Sequence, residues 1–378
     1  MRTKITLTIL SFCFIIQNTW AQGCCSGGSG SPIAGGGSVG VLAHQQMELS
    51  TSFQYTNSNK FNAGAKDTLP LFDHFNSKYM YGKIAYGITK QLTLSVEGGY
   101  YINKTQIGNR SDVTGVPIDS FSSHGIADLI LFPKYNFYNH SDSTKKIEVT
   151  LGMGYKIPLG KYSDSAVMFH NIFTGEDVFG IMPPIVQPTN GSQDFIFYGL
   201  FLRGFPKHNF KLFTNLTYIK KGWNPLGFKF GDYAGIGIFA SKSFFKNLNV
   251  TLQLKGEWIN KIHYNNNIDM VAMYNIYVNS TGSRKVSLVP QVSYSFKNFS
   301  VFALSDLPVY EYVNGSQMRT QNLWTLGLSY RFFATKSPTC VSPDYKGDVY
   351  ECPMKCEGYQ YEKPGKCKVC RMTLEKVK

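Results

Sequence analysis

Four cysteines close together near the C-terminus have a spacing that suits metal chelation. Three residues separate the first pair, ten separate the two pairs and two separate the second pair: Cys352, Cys356, Cys367 and Cys370. Two such pairs can hold one ion between them, and four thiolates in a tetrahedron suit Zn(II) or Cu(I). Met354 and Met372 place two further soft sulfur donors beside the thiols. The spacing therefore predicts a site for a soft metal ion.

The segment that carries these cysteines is too small to fold by apolar packing alone. It has few large apolar side chains, so it needs a bound metal or disulfides to hold one structure. Pro364-Gly365 supplies a turn that presents Cys367 and Cys370. Two disulfides are the alternative to a metal site, because the chain also carries an export signal and exported proteins meet an oxidising compartment.

The first 21 residues have the features of an export signal. Arg2 and Lys4 precede an apolar run over residues 5–16, and Ala21 lies at a plausible cleavage site. We therefore expect the chain to leave the cytoplasm.

A glycine- and serine-rich leader, residues 22–44, follows the signal, and we expect its stretch from Cys24 to Gly40 to be flexible. Its vicinal Cys24 and Cys25 can offer two soft ligands to a metal. The alternatives are a disulfide, thiols without a role, or acylation of Cys24, which would place Gln22 where small residues are usual. The mature chain has seven cysteines and none between Cys25 and Cys340, which argues against disulfides in the large domain.

The composition favours antiparallel β structure. Tyr and Phe together number 52 of 378 residues, Gly numbers 36, and charged residues make up 16%. No stretch of the mature chain approaches the ~20 apolar residues that a membrane helix needs, which excludes a helical membrane protein. The net charge of +14 is spread without a basic run. It is therefore typical of a solvated or lipopolysaccharide-facing surface, and we expect no nucleic-acid partner.

Apolar and polar residues alternate in runs between residues 45 and 333. In the last run, Trp324, Leu326 and Leu328 lie on one face of a strand while Thr325 and Ser329 lie on the other. Aromatic residues at the ends of an apolar face, with leucines between them, are expected of a strand that spans lipid. Twelve runs occur: 45–57, 79–88, 91–102, 124–138, 146–157, 193–204, 209–219, 231–244, 248–259, 284–296, 299–312 and 322–333.

The lengths of the connections favour a membrane barrel over a soluble sandwich. The odd-numbered connections are long, and those between them are mostly short turns such as Thr89-Lys90. This alternation with an even strand number is typical of bacterial outer-membrane barrels, in which both chain ends face the periplasm. We predict an all-β fold: an antiparallel transmembrane β-barrel of about 12 strands over 45–333, a linker over 334–348 and a small cysteine-rich metal-binding tail over 349–378.

Charged residues on the inward faces of these strands nearly balance. The inward positions carry Lys83, Lys134, Lys146, Lys156, Lys211, Lys255 and Arg331 against Glu48, Glu97, Asp128, Glu148 and Glu257. A pore selective for ions of one sign should show a ring of the opposite sign. We therefore expect a network of ion pairs that partly fills the lumen.

Several short glycine-rich pieces of the barrel region resemble outer-membrane transporters associated with the meta-pathway of phenol degradation. The pieces are Gly125-Ile-Ala-Asp128 leading to Pro133-Lys-Tyr135, Gly154-Tyr-Lys-Ile-Pro-Leu-Gly160 and Asn190-Gly-Ser-Gln-Asp194. The resemblance implies a channel or uptake barrel. It does not imply phenol as the substrate of this chain.

The tail resembles the short heavy-metal-binding domain that is appended to bacterial metal-efflux proteins. The matching motifs, within residues 349–377, are Tyr350-x-Cys352-Pro-Met354, Pro364-Gly-x-Cys367-x-x-Cys370 and Met372-x-Leu374. The chain departs from the family at Lys355 and Cys356, where His-Pro is common, at Lys368, where proline is common, and at Arg371, where glycine is common. The resemblance implies metal binding, and these departures leave the ligand set and the metal open.

The sequence thus supports two hypotheses about function. The first is an outer-membrane barrel with a periplasmic tail, acting in transport, sensing or tolerance of a soft metal ion such as copper or zinc, with a periplasmic metal-efflux component as a possible partner. The second is a general small-solute or hydrophobic-compound channel whose tail is a structural zinc or disulfide knob. We expect no enzyme, because the seven histidines suggest no combination of nucleophile, base and orienting group.

Overall fold

The computed structural model describes residues 40–110, 117–118, 120–142, 144–171, 174–244, 247–274, 276–321, 323–334, 347–351, 360–361, 363–367 and 373–376. Twelve antiparallel strands in this part of the chain form a closed barrel. They are β1 (Gln46–Ser58), β2 (His74–Gly87), β3 (Leu92–Ile107), β4 (Asp128–Ser141), β5 (Lys146–Pro158), β6 (Asp194–Phe205), β7 (Phe210–Lys220), β8 (Tyr233–Phe244), β9 (Leu248–Ile259), β10 (Ser283–Phe296), β11 (Phe299–Met318) and β12 (Leu323–Phe333).

Each strand pairs with the next along the chain, and β1 pairs with β12 to close the barrel. The register at closure runs from Gln46 opposite Phe333 to Thr56 opposite Leu323. Closure leaves no unpaired barrel edge, so the backbone groups of all twelve strands find partners within the sheet. The predicted antiparallel barrel of about 12 strands is confirmed.

Shorter elements lie in the connections and in the tail. The short strands are Phe61–Gly64, Lys66–Thr68, Asn109–Arg110, Pro117–Ile118, Phe121–Ile126, Ser165–His170, Asp177–Ile181, Phe228–Lys229, His263–Tyr264, Tyr350–Glu351, Gln360–Tyr361 and Glu375–Lys376. An α-helix covers Met270–Tyr274, and 3-10 turns cover Pro206–His208 and Val278–Ser280. Within the described residues, every helix is too short or too polar to cross a membrane.

The two ends of the barrel differ in their connections. We call the end with the short connections, such as residues 88–91 and 142–145, the turn end, and the opposite end the loop end. β1 begins and β12 ends at the turn end, where the Ala334 amide donates to the Gln45 carbonyl at 2.9 Å. The chain therefore enters and leaves the twelve-stranded sheet at neighbouring points.

The eleventh connection is not the long loop that the sequence predicts. It covers only residues 319–322, because β11 continues to Met318 instead of ending near residue 312. The extension is possible because Phe61–Gly64, in the first connection, pairs with the end of β11, with Phe61 opposite Met318. A segment distant in sequence thus supplies the backbone partners that keep the extended strand hydrogen-bonded.

The outer surface of the barrel is an apolar belt. On β12, Trp324, Leu326 and Leu328 are 55%, 60% and 40% exposed, whereas Thr325 and Ser329, at alternate positions, face inward and are buried. Aromatic side chains lie near both ends of the belt, for example Trp258 and Tyr294. This arrangement is the one expected of strands that face lipid, with aromatic residues at the two interfaces.

Part of the interior is apolar, which the sequence analysis did not predict. Eight buried side chains from β4, β6, β7 and β8 pack together inside the barrel: Phe132, Ile196, Tyr198, Leu200, Leu202, Phe213, Ile219 and Phe239. The Phe213 and Phe239 rings stack with their centroids 4.4 Å apart. The remaining inner wall is polar and charged. The lumen therefore has one apolar wall and one charged wall.

A glycine on β12 makes room for a buried aromatic ring on β11. A methyl group at Gly327 would overlap the ring of the buried Phe302 on β11. We expect Gly327→Ala to lower the free energy of unfolding by about 1–3 kcal/mol, because the ring has little room to move in a packed interior. Urea unfolding in detergent micelles would measure the change. Gly82→Ala on β2 is the control, since nothing lies within 4 Å of a methyl group there; equal losses in both variants would contradict the packing argument.

Candidate metal centre and barrel interior

Of the eight predicted metal ligands, Cys367 lies within the described residues. The other seven, Cys24, Cys25, Cys352, Met354, Cys356, Cys370 and Met372, lie outside them. The described parts of the tail nevertheless show where the two segments that carry the tail cysteines begin and end.

The tail contains a small antiparallel sheet of three strands. Tyr350–Glu351 is the central strand and pairs with Gln360–Tyr361 on one side and Glu375–Lys376 on the other. Glu351 lies opposite both Gln360 and Glu375. The chain therefore continues into Cys352 at the same end of the sheet at which it returns from Thr373.

A second pairing encloses the other two cysteines. Lys366 forms an antiparallel bridge with Thr373, and the Leu374 amide donates to the Gly365 carbonyl at 2.8 Å. Cys367 and Cys370 lie in the segment between Lys366 and Thr373. Cys352 and Cys356 lie in the segment between Glu351 and Gln360. Both segments therefore begin and end at the same end of the tail sheet.

Cys367 belongs to the small core of the tail. Its side chain is 1% exposed, and it is buried together with Tyr361 and Leu374. The Tyr361 hydroxyl donates to the Cys367 sulfur at 3.9 Å. A hydroxyl donor stabilises negative charge on sulfur, which suits a thiolate ligand.

An ion pair joins the ends of the tail sheet on its surface. Lys376 donates to Asp348 at 2.7 Å, and this hydrogen bond raises the pKa of the Lys376 ammonium group. Both groups are more than half exposed, so the pair adds little stability. The stability of the tail sheet therefore depends on its small core and on the metal or the disulfides that join its cysteines.

The N-terminal residues 40–44, which we call the strap, fold into the turn end of the barrel. Leu42 is 2% exposed, and its amide donates to the Thr93 hydroxyl at 2.8 Å. Gly40 lies against the Glu148 carboxylate, where a methyl group would overlap it. Val41-Leu42-Ala43, at the end of the glycine run, was a signal for burial, and the last residues of the predicted leader pack into the barrel.

The fifth connection folds into the loop end of the barrel. Residues 182–193, which we call the inner loop, include Val186 and Ser192, both 0% exposed. Lys104 on β3 donates to the Gln187 carbonyl at 2.8 Å, and the Thr189 hydroxyl donates to Asp128 on β4. These two bonds join the inner loop to the neighbouring strands β3 and β4.

A buried carboxylate anchors the inner loop. Asp194, at the start of β6, is 0% exposed and lies 2.9 Å from Lys156 and 3.0 Å from Lys221. It also accepts hydrogen bonds from the Ser192 hydroxyl at 2.7 Å and the Gly222 amide at 3.1 Å. Lys156 in turn lies 3.2 Å from Asp128. These groups neutralise one another's charges and supply one another's hydrogen bonds at the point where the inner loop joins β6.

The predicted ion pairs in the lumen are confirmed. Glu48 on β1 pairs with Lys83 and Arg331, each at 2.6 Å. On the far wall, Glu257 on β9 pairs with Lys285 at 2.7 Å. Further pairs are Lys146 with Glu148, Lys255 with Glu257 and Lys255 with Asp306. These pairs, the strap and the inner loop all contribute buried groups to the interior of the barrel.

Comparison with protein families identifies the tail. Residues 349–377 match the model of the heavy metal binding domain. The match covers the three strands of the tail sheet and all four tail cysteines. No curated protein matches the chain.

Comparison with solved structures identifies the barrel fold. An outer membrane channel from Pseudomonas putida F1 superposes with a TM-score of 0.55 at 10% identity, over 78% of this chain and 98% of that chain. The translocator domain of the autotransporter NalP from Neisseria meningitidis has a TM-score of 0.37 at 10% identity, over 87% of this chain and 95% of that one. The chain has the fold of an outer-membrane channel and carries a C-terminal heavy-metal-binding domain.

Proposed function

We propose that the chain is an outer-membrane barrel whose tail captures one soft metal ion in the periplasm, in the service of transport, sensing or tolerance of that metal. The observation that carries the proposal is the topology of the tail, in which the two segments that carry the cysteine pairs begin and end at one end of a three-stranded sheet, within a match to the heavy metal binding domain. The ligands are Cys352, Cys356, Cys367 and Cys370, with Met354 and Met372 as further donors. Four thiolates suit zinc or Cu(I).

The position of the termini supports a role for the tail at the mouth of the barrel. Because Ala334 and Gln45 are hydrogen-bonded at the turn end, β12 ends at that end of the barrel, and the linker to the tail follows from there in the sequence. In outer-membrane barrels the short turns face the periplasm, so we place the tail in that compartment. Cys24 and Cys25 would then share the compartment with the tail cysteines.

The filled lumen supports a metal-directed role over free diffusion of solutes. The strap occupies the turn end and the inner loop occupies the loop end. Bulk flux would require both to move, whereas metal capture by the tail requires neither. We further propose that the protein is not an enzyme and that a periplasmic metal-efflux component receives or supplies the ion.

The second candidate is a channel for small or hydrophobic compounds, with the tail as a structural zinc or disulfide knob. The apolar inner wall of Phe132, Phe213, Phe239 and their neighbours favours it, since such a wall suits an apolar solute. In this case the tail would contribute to assembly and not to metal handling.

Removal of the tail separates the two candidates. A chain that ends at Ala334 keeps all twelve strands, so we expect it to fold. We expect cells that carry this truncation in place of the native gene to lose growth at elevated copper or zinc, while solute flux into liposomes is unchanged. Heat-modifiable migration in gels would establish that the barrel has formed. Unchanged metal tolerance with altered solute flux would favour the second candidate instead.

A further inference from the structure

Two cationic side chains lie on the lipid-facing surface of the barrel at its turn end. Arg203 on β6 follows the alternation that directs Phe197 and Phe201 outward, and Lys242 on β8 follows the alternation that directs Ile238 outward. Both cations are exposed, and each lies two residues before the end of its strand. They therefore occupy the level at which the apolar belt gives way to lipid headgroups.

Aromatic rings support the two cations at this level. The Arg203 guanidinium carbon lies 5.4 Å from the centroid of the Phe205 ring. On β8, Lys242 Nζ lies 5.9 Å from the centroid of the Phe244 ring. The Phe205 ring also stacks on Phe210 of β7, with the two centroids 6.1 Å apart. A cation over an aromatic face keeps its charge beside water while its stem covers apolar surface, so both charges are presented at the membrane interface.

The strand register places these two cations on either side of β7. Phe210 lies opposite Phe205 of β6 and opposite Lys242 of β8, and Leu212 lies opposite Arg203. Two strand spacings separate β6 from β8, and two residues separate the levels of the cations along the strands. Their backbones are thus about 12 Å apart, and a headgroup over Phe210 lies between the two side chains.

The turn between β6 and β7 adds a third cation. Pro206–His208 forms a 3-10 turn in which Lys207 is exposed. The turn is joined to β8, because the Asn209 carbonyl accepts a hydrogen bond from the Ser243 amide at 2.9 Å, one residue from Lys242. Three cations share this part of the turn end, and we call them the basic edge: Arg203, Lys207 and Lys242.

The acidic residues of this part of the chain lie away from the basic edge. Residues 195–256 contain a single acidic residue, Asp232. Asp194 and Asp232 both lie at the loop end, where each pairs with two lysines. Along β6, the backbone distance from Asp194 to the level of the basic edge is roughly 30 Å. On the adjacent β5, Glu148 faces the lumen and pairs with Lys146 at 3.1 Å. The outward surface at the basic edge is therefore positively charged.

We propose that the basic edge binds the phosphate group of an anionic phospholipid in the leaflet that contacts the turn end. A negatively charged headgroup complements the three cations, and the guanidinium fork of Arg203 matches two phosphate oxygens. The acyl chains lie on the adjoining apolar belt, where Phe201, Leu212 and Ile238 are 50%, 41% and 51% exposed. Inorganic phosphate makes no use of the belt, so this surface favours a lipid. The site is independent of the metal-binding tail.

Dioleoyl phosphatidylglycerol is a suitable probe, and dioleoyl phosphatidylcholine is its zwitterionic counterpart with the same acyl chains. The full-length protein in detergent would be titrated with each lipid, and native mass spectrometry would count the lipids bound to each chain. We expect one saturable phosphatidylglycerol per chain, bound at least tenfold more tightly than phosphatidylcholine. Inorganic phosphate at the same concentration should not displace it.

Arg203→Gln with Lys242→Gln is the test variant, and it should weaken phosphatidylglycerol binding at least tenfold while phosphatidylcholine binding is unchanged. Lys90→Gln with Lys145→Gln is the matched control: it removes the same charge from exposed positions in two other turns at this end, and should keep the native preference. Arg203→Lys retains the charge but removes the fork, and should weaken binding by a smaller factor. All these side chains are exposed, so heat-modifiable migration in gels should show a formed barrel in each variant.

Three results would overturn the proposal. The first is equal phosphatidylglycerol affinity in the test variant and the native chain, which would place the headgroup elsewhere. The second is equal affinity of the native chain for the two lipids, which would mean that the belt holds acyl chains and the basic edge does not select the headgroup. The third is tighter binding of lipopolysaccharide than of phosphatidylglycerol at the same residues, because that glycolipid belongs to the opposite leaflet.

Discussion

Replacing Cys367 and Cys370 together by serine should remove the bound metal from the full-length protein. We expect the native chain, purified anaerobically with Zn(II) or Cu(I), to carry about one ion per chain, and the double variant to carry none. Structural zinc sites of this kind contribute apparent binding free energies of about 10–16 kcal/mol, and a serine hydroxyl does not replace a thiolate ligand. Because the described core of the tail consists of little more than Tyr361, Cys367 and Leu374, the tail should also lose its fold.

Metal analysis and thiol titration would measure this result, and limited proteolysis would report the loss of tail structure. Cys24→Ser with Cys25→Ser is the matched control, since it removes the same number of thiols and leaves the tail unchanged. Metal content that follows the leader cysteines and not the tail cysteines would contradict the assignment. Four oxidised tail cysteines with no metal would identify the tail as a disulfide knob and favour the second candidate function.

Much of the barrel was predictable because its determinants are local. Alternation such as Trp324, Thr325, Leu326 assigns a strand and its two faces from adjacent residues alone. The contrast of short turns with long loops then indicated a barrel. The cysteine spacing was equally local, because two short-range pairs define a chelating group before any tertiary structure is known.

The arrangement of the interior depends on contacts between residues that are far apart in sequence. The strap contacts β3 through Leu42 and Thr93, and the inner loop contacts it through Gln187 and Lys104. Polarity alone could not reveal which loops turn inward. The balance of inward charges was predicted, but their partners were not, because pairs such as Glu48 with Arg331 join strands at opposite ends of the sequence.

The apolar inner wall has a signal in the sequence of β6. On β6, residues 195–202 are almost all apolar, with Phe195 and Phe197 facing outward and Ile196 and Tyr198 facing inward. A continuous apolar run in a strand indicates that both faces are covered. Read in this way, the sequence indicates a packed interior beside β6, instead of a wet lumen on every side.

The largest effect on the barrel itself should come from Asp194, since its carboxylate is the common partner of Lys156 and Lys221. Asp194→Ala would leave two buried lysines, 4% and 2% exposed, without this partner and would remove the acceptor for Ser192 at the end of the inner loop. Breaking a buried ion pair by removing one partner costs about 3–5 kcal/mol. We expect the inner loop to leave the lumen and the conductance of the barrel in planar bilayers to rise.

Single-channel recording together with urea unfolding in micelles would test this expectation. Glu176→Gln is the matched control: it removes an exposed carboxylate from the same connection between β5 and β6 and should change neither conductance nor stability. If Asp194→Ala loses stability but keeps the native conductance, the inner loop does not close the lumen, and the apolar wall or the strap must restrict the pore. If conductance rises while metal tolerance is unchanged, the channel and the metal-binding tail act separately, because the barrier to solutes then resides in the loop end and metal capture resides in the tail.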